Sequence, residues 1–289
     1  MLHNYTVVLG VFNEQDRIEF ALRNFLNRAE IVVIDNYSTD NTIKIAEKYT
    51  KKIYHFKNQG FWNAEFYDFA LDKVETDFVY FASAAEIVPS GVLDAFDQVA
   101  EGNSAYLAVT CMRKSISSGV WTHRNWRNPE RVTSDAKLAR KDCFDFSRSR
   151  IHSERPINIS RSQVLLLPPN DENVIWQFRD YDTSVTELKH NAYGIAEAIQ
   201  RFESGERTSI LKIIYLSIKE FASSYFLDGG FQAGSIGFFT AVWRSQMRFN
   251  IQVRIWEYQN DCTLADIKRA HSTMRESMLK IIEGRITKK

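Results

Sequence analysis

Short β-branched and aromatic runs alternate with amphipathic segments through the first hundred residues, and no other feature constrains the fold as strongly. A chain patterned this way covers both faces of a parallel sheet with crossover helices. Tyr5 to Val11 reads as a first strand, and Asn13 to Arg28 sets Ile18, Ala21, Leu22, Phe25 and Leu26 at helical spacing. A second strand follows at Glu30 to Asp35, a turn at Asn36 to Thr39, and a helix from about Asn41 to Thr50 that Asp40 can cap. Lys52 to Phe56 is a third strand, Trp62 to Val74 a helix, Phe78 to Ala82 a fourth strand, and Pro89 opens a helix over Ser90 to Ala100. The order predicts a doubly wound α/β layer. Its ligand belongs at the C-terminal strand edge, beside the turns at Phe12 to Gln15 and Asp35 to Asp40.

Beyond a further apolar strand at Ala105 to Met112, a stretch rich in Arg, Trp and Asn runs to about Arg161 and reads as loops over a site. From about Thr186 onward the pattern is helical, in segments Val185 to Phe202, Thr208 to Leu227, Phe231 to Glu257 and Leu264 to Ile282, broken at Gly205, Gly229-Gly230 and Asp261. Charge and cysteine content narrow the function. The balance of 37 basic and 36 acidic residues excludes a globally basic nucleic-acid binder. Cys111, Cys143 and Cys262 are odd in number and share no metal-ligand spacing, which fits a reducing cytoplasm. No secretory leader is read at the start, and no run of about 20 uncharged apolar residues occurs.

Four places carry a resemblance. They are Val11-Phe12-Asn13-Glu14, then Val32-Val33-Ile34-Asp35-Asn36-Tyr37-Ser38-Thr39-Asp40-Asn41-Thr42, then Glu86-Ile87-Val88-Pro89, and finally Tyr225-Phe226-Leu227-Asp228-Gly229-Gly230-Phe231. Together they resemble the bacterial family-2 glycosyltransferases of the lipopolysaccharide-core glucosyltransferase type. The resemblance implies a GT-A fold, Rossmann-like and mostly parallel, with a helical C-terminal annex. It divides the chain into a nucleotide-sugar-binding and catalytic domain over residues 1–185 and a helical annex over 186–289. It also implies inverting transfer from a nucleotide-sugar donor to a cell-envelope glycan or lipid-linked acceptor, in the cytoplasm or on the inner face of the cell membrane. Asp35, with Asn13 and Glu14 beside it, is then expected to meet a base edge or a ribose, and Asp40 to serve as helix cap or as cap and nucleotide contact.

The chain departs from the family where a divalent cation is normally held. The family's Asp-x-Asp-Glu falls on Ser83-Ala84-Ala85-Glu86, so both ligand aspartates are missing and Glu86 alone remains. We therefore expect no metal cofactor, with protein donors meeting the charge of a leaving diphosphate. Residues 113–161 hold 12 Lys or Arg against 5 Asp or Glu, and Arg124, Arg127, Arg131, Lys137 and Arg140 are the candidates. A solvated basic loop or an acceptor-binding face explains the same excess.

An inverting transferase needs a carboxylate to take the acceptor's proton. The family's His-Glu has its nearest counterpart in His152-Ser153-Glu154, which makes Glu154 the first choice of base and Asp135 the second; a surface ion pair with Arg150 or Arg155 is the alternative for Glu154. Trp121, His123, Trp126 and Trp176 are candidate sugar-stacking walls, or core residues. The C-terminal helices mix large apolar faces with Lys212, Lys219, Arg244, Arg248 and Arg254, a pattern suited to an anionic membrane surface or to helix packing. Two other readings stay open: a catalytically degenerate nucleotide- or glycan-binding protein, and a membrane-surface scaffold.

Overall fold

The computed structural model describes residues 4–58, 62–102, 104–122, 136–146, 157–179 and 182–286, the last with side chains to 283. Strand β1 (Tyr5–Val11) and strand β2 (Glu30–Asp35) form where the apolar runs predict them and pair in parallel, Val11 opposite Asp35. Helix α1 (Ile18–Phe25) starts later than its periodicity suggests, because Asn13 takes a positive φ of 53° and residues 14–17 turn before the helix begins. Helix α2 (Thr42–Ala46) and strand β3 (Ile53–His55) follow, then helix α3 (Ala64–Asp72), where Asn63 accepts a capping hydrogen bond from the Phe66 amide at 3.0 Å. Strand β4 (Phe78–Ala82) returns to the far side of β1, with Ala82 opposite Leu9.

Residues 83–89 hold a short strand β5 (Glu86–Ile87), after which helix α4 (Ser90–Ala100) occupies its predicted span. Strand β6 (Ala108–Thr110) joins the main sheet. From here the structure corrects the sequence reading. Residues expected to be loops form strands β7 (Arg113–Ser117), β8 (Val120–Trp121) and β9 (Leu138–Arg140), and strands β10 (Val164–Leu166) and β11 (Ile175–Arg179) follow. The main sheet has the order β10-β6-β9-β4-β1-β2-β3, parallel except for β9, which runs antiparallel between β4 and β6. A second sheet, β5-β11-β7-β8, takes β7 and β8 from the supposed loops. These strands are only two to five residues long and lack clean alternation, so pairing partners distant in sequence create them.

The central strands are buried on both faces. Tyr5, Val7, Leu9 and Val11 point toward α1 and α4, where they meet Ile18, Leu22, Phe25 and Phe96. Val8, Val32, Ile34, Val79 and Phe81 point toward α3 and pack on Phe66, Tyr67 and Ala70. Gly10 belongs to the second face and has no room for a side chain: an added Cβ would lie 2.8 Å from both the Phe66 and Trp62 rings.

Helices α5 (Thr183–Glu203), α6 (Ile210–Ala222), α7 (Gly234–Gln259) and α8 (Leu264–Ile286) complete the chain. Helices α5 and α6 both pack on α7, whose Ile251 and Ile255 meet Ala198 of α5. A π-helical turn at Ser223–Leu227 and the left-handed Gly229 (φ 75°) reverse the chain between α6 and α7. Among the described residues no helix is long and apolar enough to cross a membrane.

Candidate active site

Parallel pairing brings the ends of β1 and β2 side by side, and the two turns that leave them clasp each other through relayed hydrogen bonds. The Asn13 amide donates to Ser38 Oγ at 2.9 Å, and that hydroxyl donates to Asp35 Oδ1 at 2.6 Å. The Glu14 amide donates to Thr42 Oγ1 at 2.7 Å, which in turn donates to Asp40 Oδ1 at 2.5 Å. Asn13 Oδ1 accepts from the Thr39 amide at 2.8 Å, and Gln15 Oε1 from the Asn41 amide at 3.1 Å.

Asp35 is buried, and its carboxylate accepts from the Ser38 amide as well as the Ser38 hydroxyl. It also faces His55 Nδ1 at 3.1 Å, because β3 sets His55 in register with Asp35. The partner that a buried carboxylate requires is therefore supplied within the chain. Burial pushes the Asp40 carboxyl up, but hydrogen bonds from Thr42 and the Gln15 amide outweigh it and hold the group below the usual carboxylate range. Glu14 turns back onto Arg17 in an ion pair. Above this satisfied polar floor two rings stand open: Phe12 is 51% exposed and Tyr37, stacked on His55 with centroids 5.4 Å apart, is 57% exposed. Sequence reasoning missed Ser38, Thr42 and His55. The first was within reach, since a serine three residues after an aspartate is a turn signal.

At the end of β4 the residues present do not fit a divalent cation. Ala84 and Ala85 offer no ligand, and Ser83 Oγ accepts from the Ala85 amide at 3.3 Å. Glu86 is buried, and its carboxylate accepts from Tyr80 Oη at 2.7 Å and the Ser83 amide at 3.1 Å while pairing with Arg113 Nε at 2.8 Å. A carboxylate fastened by three partners inside the protein is poorly placed to coordinate an ion. Among the described residues no group of three or more His, Cys, Asp or Glu could hold a metal.

The basic candidates separate. Arg140 pairs with Asp142 at 2.6 and 2.8 Å and lies opposite Phe78, the first residue of β4. Strand β9 runs antiparallel, so Arg140 sits at the sheet edge away from the clasp and is withdrawn as a phosphate contact. Lys137 lies toward the correct edge but is buried near Cys111, whose thiol burial pushes up to about 11. Arg124, Arg127, Arg131, Asp135 and Glu154, together with His123, Trp126 and His152, lie outside the described residues. Trp121 and Trp176 flank Lys114 on the second sheet, its Nζ lying 4.4 Å and 3.9 Å from their ring centroids and pairing with Asp171 at 2.9 Å. Beside them, Ile116, Gly119, Trp176, Phe178 and Arg179 line a cavity of ≈ 630 Å³.

The family model described as "Glycosyl transferase family 2" matches residues 6–157, more than half of the chain. The chain is 22% identical over 257 residues to the lipopolysaccharide core biosynthesis glycosyltransferase LpsC of Rhizobium meliloti (strain 1021), covering 85% of this chain and 89% of the relative. Among solved structures it is similar to S. aureus TarS 1-349 in complex with UDP-GlcNAc, at 15% identity and TM-score 0.44 over 90% of this chain and 93% of that one. It is similar also to the mannosyltransferase PcManGT from Pyrobaculum calidifontis in complex with GDP-Man and Mn2+, at 13% identity and TM-score 0.46 over 88% and 87%.

Proposed function

This chain belongs to glycosyl transferase family 2, and from that premise we propose that it transfers a sugar, with inversion, from a nucleotide-sugar to a cell-envelope glycan or glycolipid, without a divalent cation. The family membership makes it a glycosyltransferase; the donor, stereochemistry, acceptor and metal independence are our reading. One observation carries that reading: the clasp between the β1 and β2 turns. It fixes a satisfied polar floor at the C-terminal edge of adjacent parallel strands and leaves the Phe12 and Tyr37 rings free to stack on a base. The name of the LpsC relative supports a lipopolysaccharide-type acceptor.

The fastening of Glu86 by Tyr80, Ser83 and Arg113 supports the metal-free mechanism. The negative charge that develops on a leaving diphosphate must then be met by donors of this chain, for which Arg124, Arg127 and Arg131 are proposed. Glu154, or failing it Asp135, takes the proton of the acceptor hydroxyl. The helical C-terminal region serves the acceptor side, and its helices between Thr208 and Glu257, α6 and α7, lie against an anionic membrane surface. Along α6, Ile210, Leu211, Ile214, Tyr215 and Ile218 are all exposed, Leu211 to 80%. Four of the five cations expected to aid such contact are engaged elsewhere, Lys219 excepted, whose Nζ lies 6.0 Å from the Tyr215 ring centroid. Lys212 pairs with Glu206, Arg244 with Glu220 and Asp228, Arg248 with Glu220 and Glu197, and Arg254 donates to Asn191. Apolar partition rather than charge would dominate, so liposome binding should fall only weakly with salt.

The deciding assay is turnover of a panel of uridine, guanosine and cytidine diphosphate sugars with and without chelator. A rate unchanged by chelator supports the proposal. Activity that requires Mn²⁺, or that appears only when Ser83→Asp and Ala85→Asp are combined, defeats metal independence. No turnover of any donor under either condition, with nucleotide binding intact by calorimetry, favours the degenerate binding protein.

A further inference from the structure

One ring is held at the clasp without closing it. Strand β3 ends on His55, level with Asp35 in the parallel register, and His55 Nδ1 lies 3.1 Å from Asp35 Oδ2. The segment after the ring is tied down as well: the Asn58 amide donates to Asn36 Oδ1 at 2.9 Å, and Asn36 Nδ2 donates to Asn58 Oδ1 at 3.1 Å. The Asp35 side chain is 1% exposed and that of His55 51%, so a ligand reaches this pair from the imidazole. His55 and Tyr37 stack with an offset, centroids 5.4 Å apart and planes 27° apart, which lets the Tyr37 ring extend past the imidazole. Among the described residues His55 Nε2 has no partner.

The pair decides where the imidazole keeps its proton. Both oxygens of Asp35 accept from the Ser38 amide and one also from the Ser38 hydroxyl, as a carboxylate does. A carboxylate offers no donor, so the nitrogen that faces it must be Nδ1–H. In the neutral ring a proton on one nitrogen leaves a lone pair on the other. Nε2, across the ring from the buried carboxylate, is therefore an acceptor held open at the edge where the strands end.

We infer that His55 selects the nucleobase of the donor. Its Nε2 accepts the ring N–H that uracil or guanine carries at the pairing edge, and it opposes the ring lone pair of cytosine with another lone pair. The inference rests on nucleotide binding at the clasp, and it favours uridine and guanosine diphosphate sugars over cytidine ones. A fixed acceptor discriminates by the bond it makes to one base and by the groups left unpaired against the other. Asp35 acts through His55, as the positioning residue that fixes the tautomer.

Uridine and cytidine diphosphate are close in size and differ at this edge. Calorimetric titration of the whole chain with each, at about pH 8 where ordinary imidazole is neutral, tests the inference. Uridine diphosphate should bind at least about tenfold tighter, the scale of one hydrogen bond made against one acceptor left unpaired. His55→Asn keeps an amide that can donate to Asp35 but lacks Nε2, so the two affinities should come within about twofold of each other. Asp35→Asn can turn its amide N–H toward Nδ1, which moves the ring proton to Nε2 and should reverse the preference. Nitrogen-15 shifts of the ring in the free chain should report Nδ1–H; Nε2–H there overturns the inference before any nucleotide is added. Equal affinities in the unaltered chain, or a preference for uridine diphosphate that survives either substitution, also overturn it and leave the nucleotide site standing. Binding of neither nucleotide to the unaltered chain removes the nucleotide reading itself, and this inference with it.

Discussion

At the ends of β1 and β2, polar groups find one another; on α8 and on the face of α6 turned from α7, apolar groups stand exposed. In the first region Asp35, Asp40 and Asn13 are each satisfied by named partners, leaving two rings exposed over a fixed floor. In the second, Glu206 accepts from Arg201, Lys212 and Gln252, and much of the exposed surface is apolar. The contrast is instructive. A preorganised polar floor suits a small polar ligand whose orientation matters, whereas an unpartnered aliphatic face suits something broad, such as another helix or a lipid surface.

Deletions in the core beneath the strands and on the exposed helical face should differ most. Phe96→Ala removes a buried ring that contacts Tyr5 and Tyr80, and it should cost about 3–5 kcal/mol in denaturant unfolding, the largest effect expected. Leu211→Ala, at the other extreme, should change stability by less than about 0.5 kcal/mol yet measurably reduce liposome association. A large stability loss there would mean that the α6 face is covered in the free protein.

Between these lie the polar tests. Asp35→Ala leaves the Ser38 amide and hydroxyl and His55 without their acceptor, a loss of about 1–3 kcal/mol by calorimetry. It should also abolish nucleotide binding under conditions where the variant remains folded. Unchanged nucleotide affinity would detach the clasp from ligand binding. Gly10→Ala should cost a similar amount, about 1–3 kcal/mol, because the new methyl meets Trp62 and Phe66. If both substitutions are neutral, the sheet edge is less rigid than its bonds indicate.

Smaller still is the effect of Glu206→Gln, which should cost about 1 kcal/mol by weakening the bridge from α6 to α7 through Gln252. Burial raises the Glu206 carboxyl, but hydrogen bonds from Gln252, Arg201 and Lys212 outweigh it and hold the group low. A depressed carboxyl contributes stability that is present above its unfolded value and lost as pH falls through its folded one. Asp40 obeys the same sign, so acid should loosen the clasp and the helices together, and Glu206→Gln should remove only the helical part of the pH dependence.

The parallel half of the main sheet and its helices were legible because each strand is a local apolar run long enough to identify itself. So was the meeting of the two turns at one sheet edge, since strand ends and turn residues such as Asp35 and Asp40 are written side by side. The second sheet was not. Strands as short as β5 and β8 carry too little pattern, and they exist only because β11 pairs with both β5 and β7. The same holds for side-chain pairing: Arg113 reads as a free cation until β7 is set beside Glu86, and Arg140 as a phosphate ligand until antiparallel β9 carries it to the wrong edge.

What the sequence determined by itself was the periodicity of its longer segments, hence the strands of the parallel half and the helices, and the absence of two carboxylates after β4. What only the tertiary structure decided was whom each polar group meets. Periodicity is a property of neighbouring residues, whereas the partners of Asp35, Glu86 and Lys212 depend on which segments pack together.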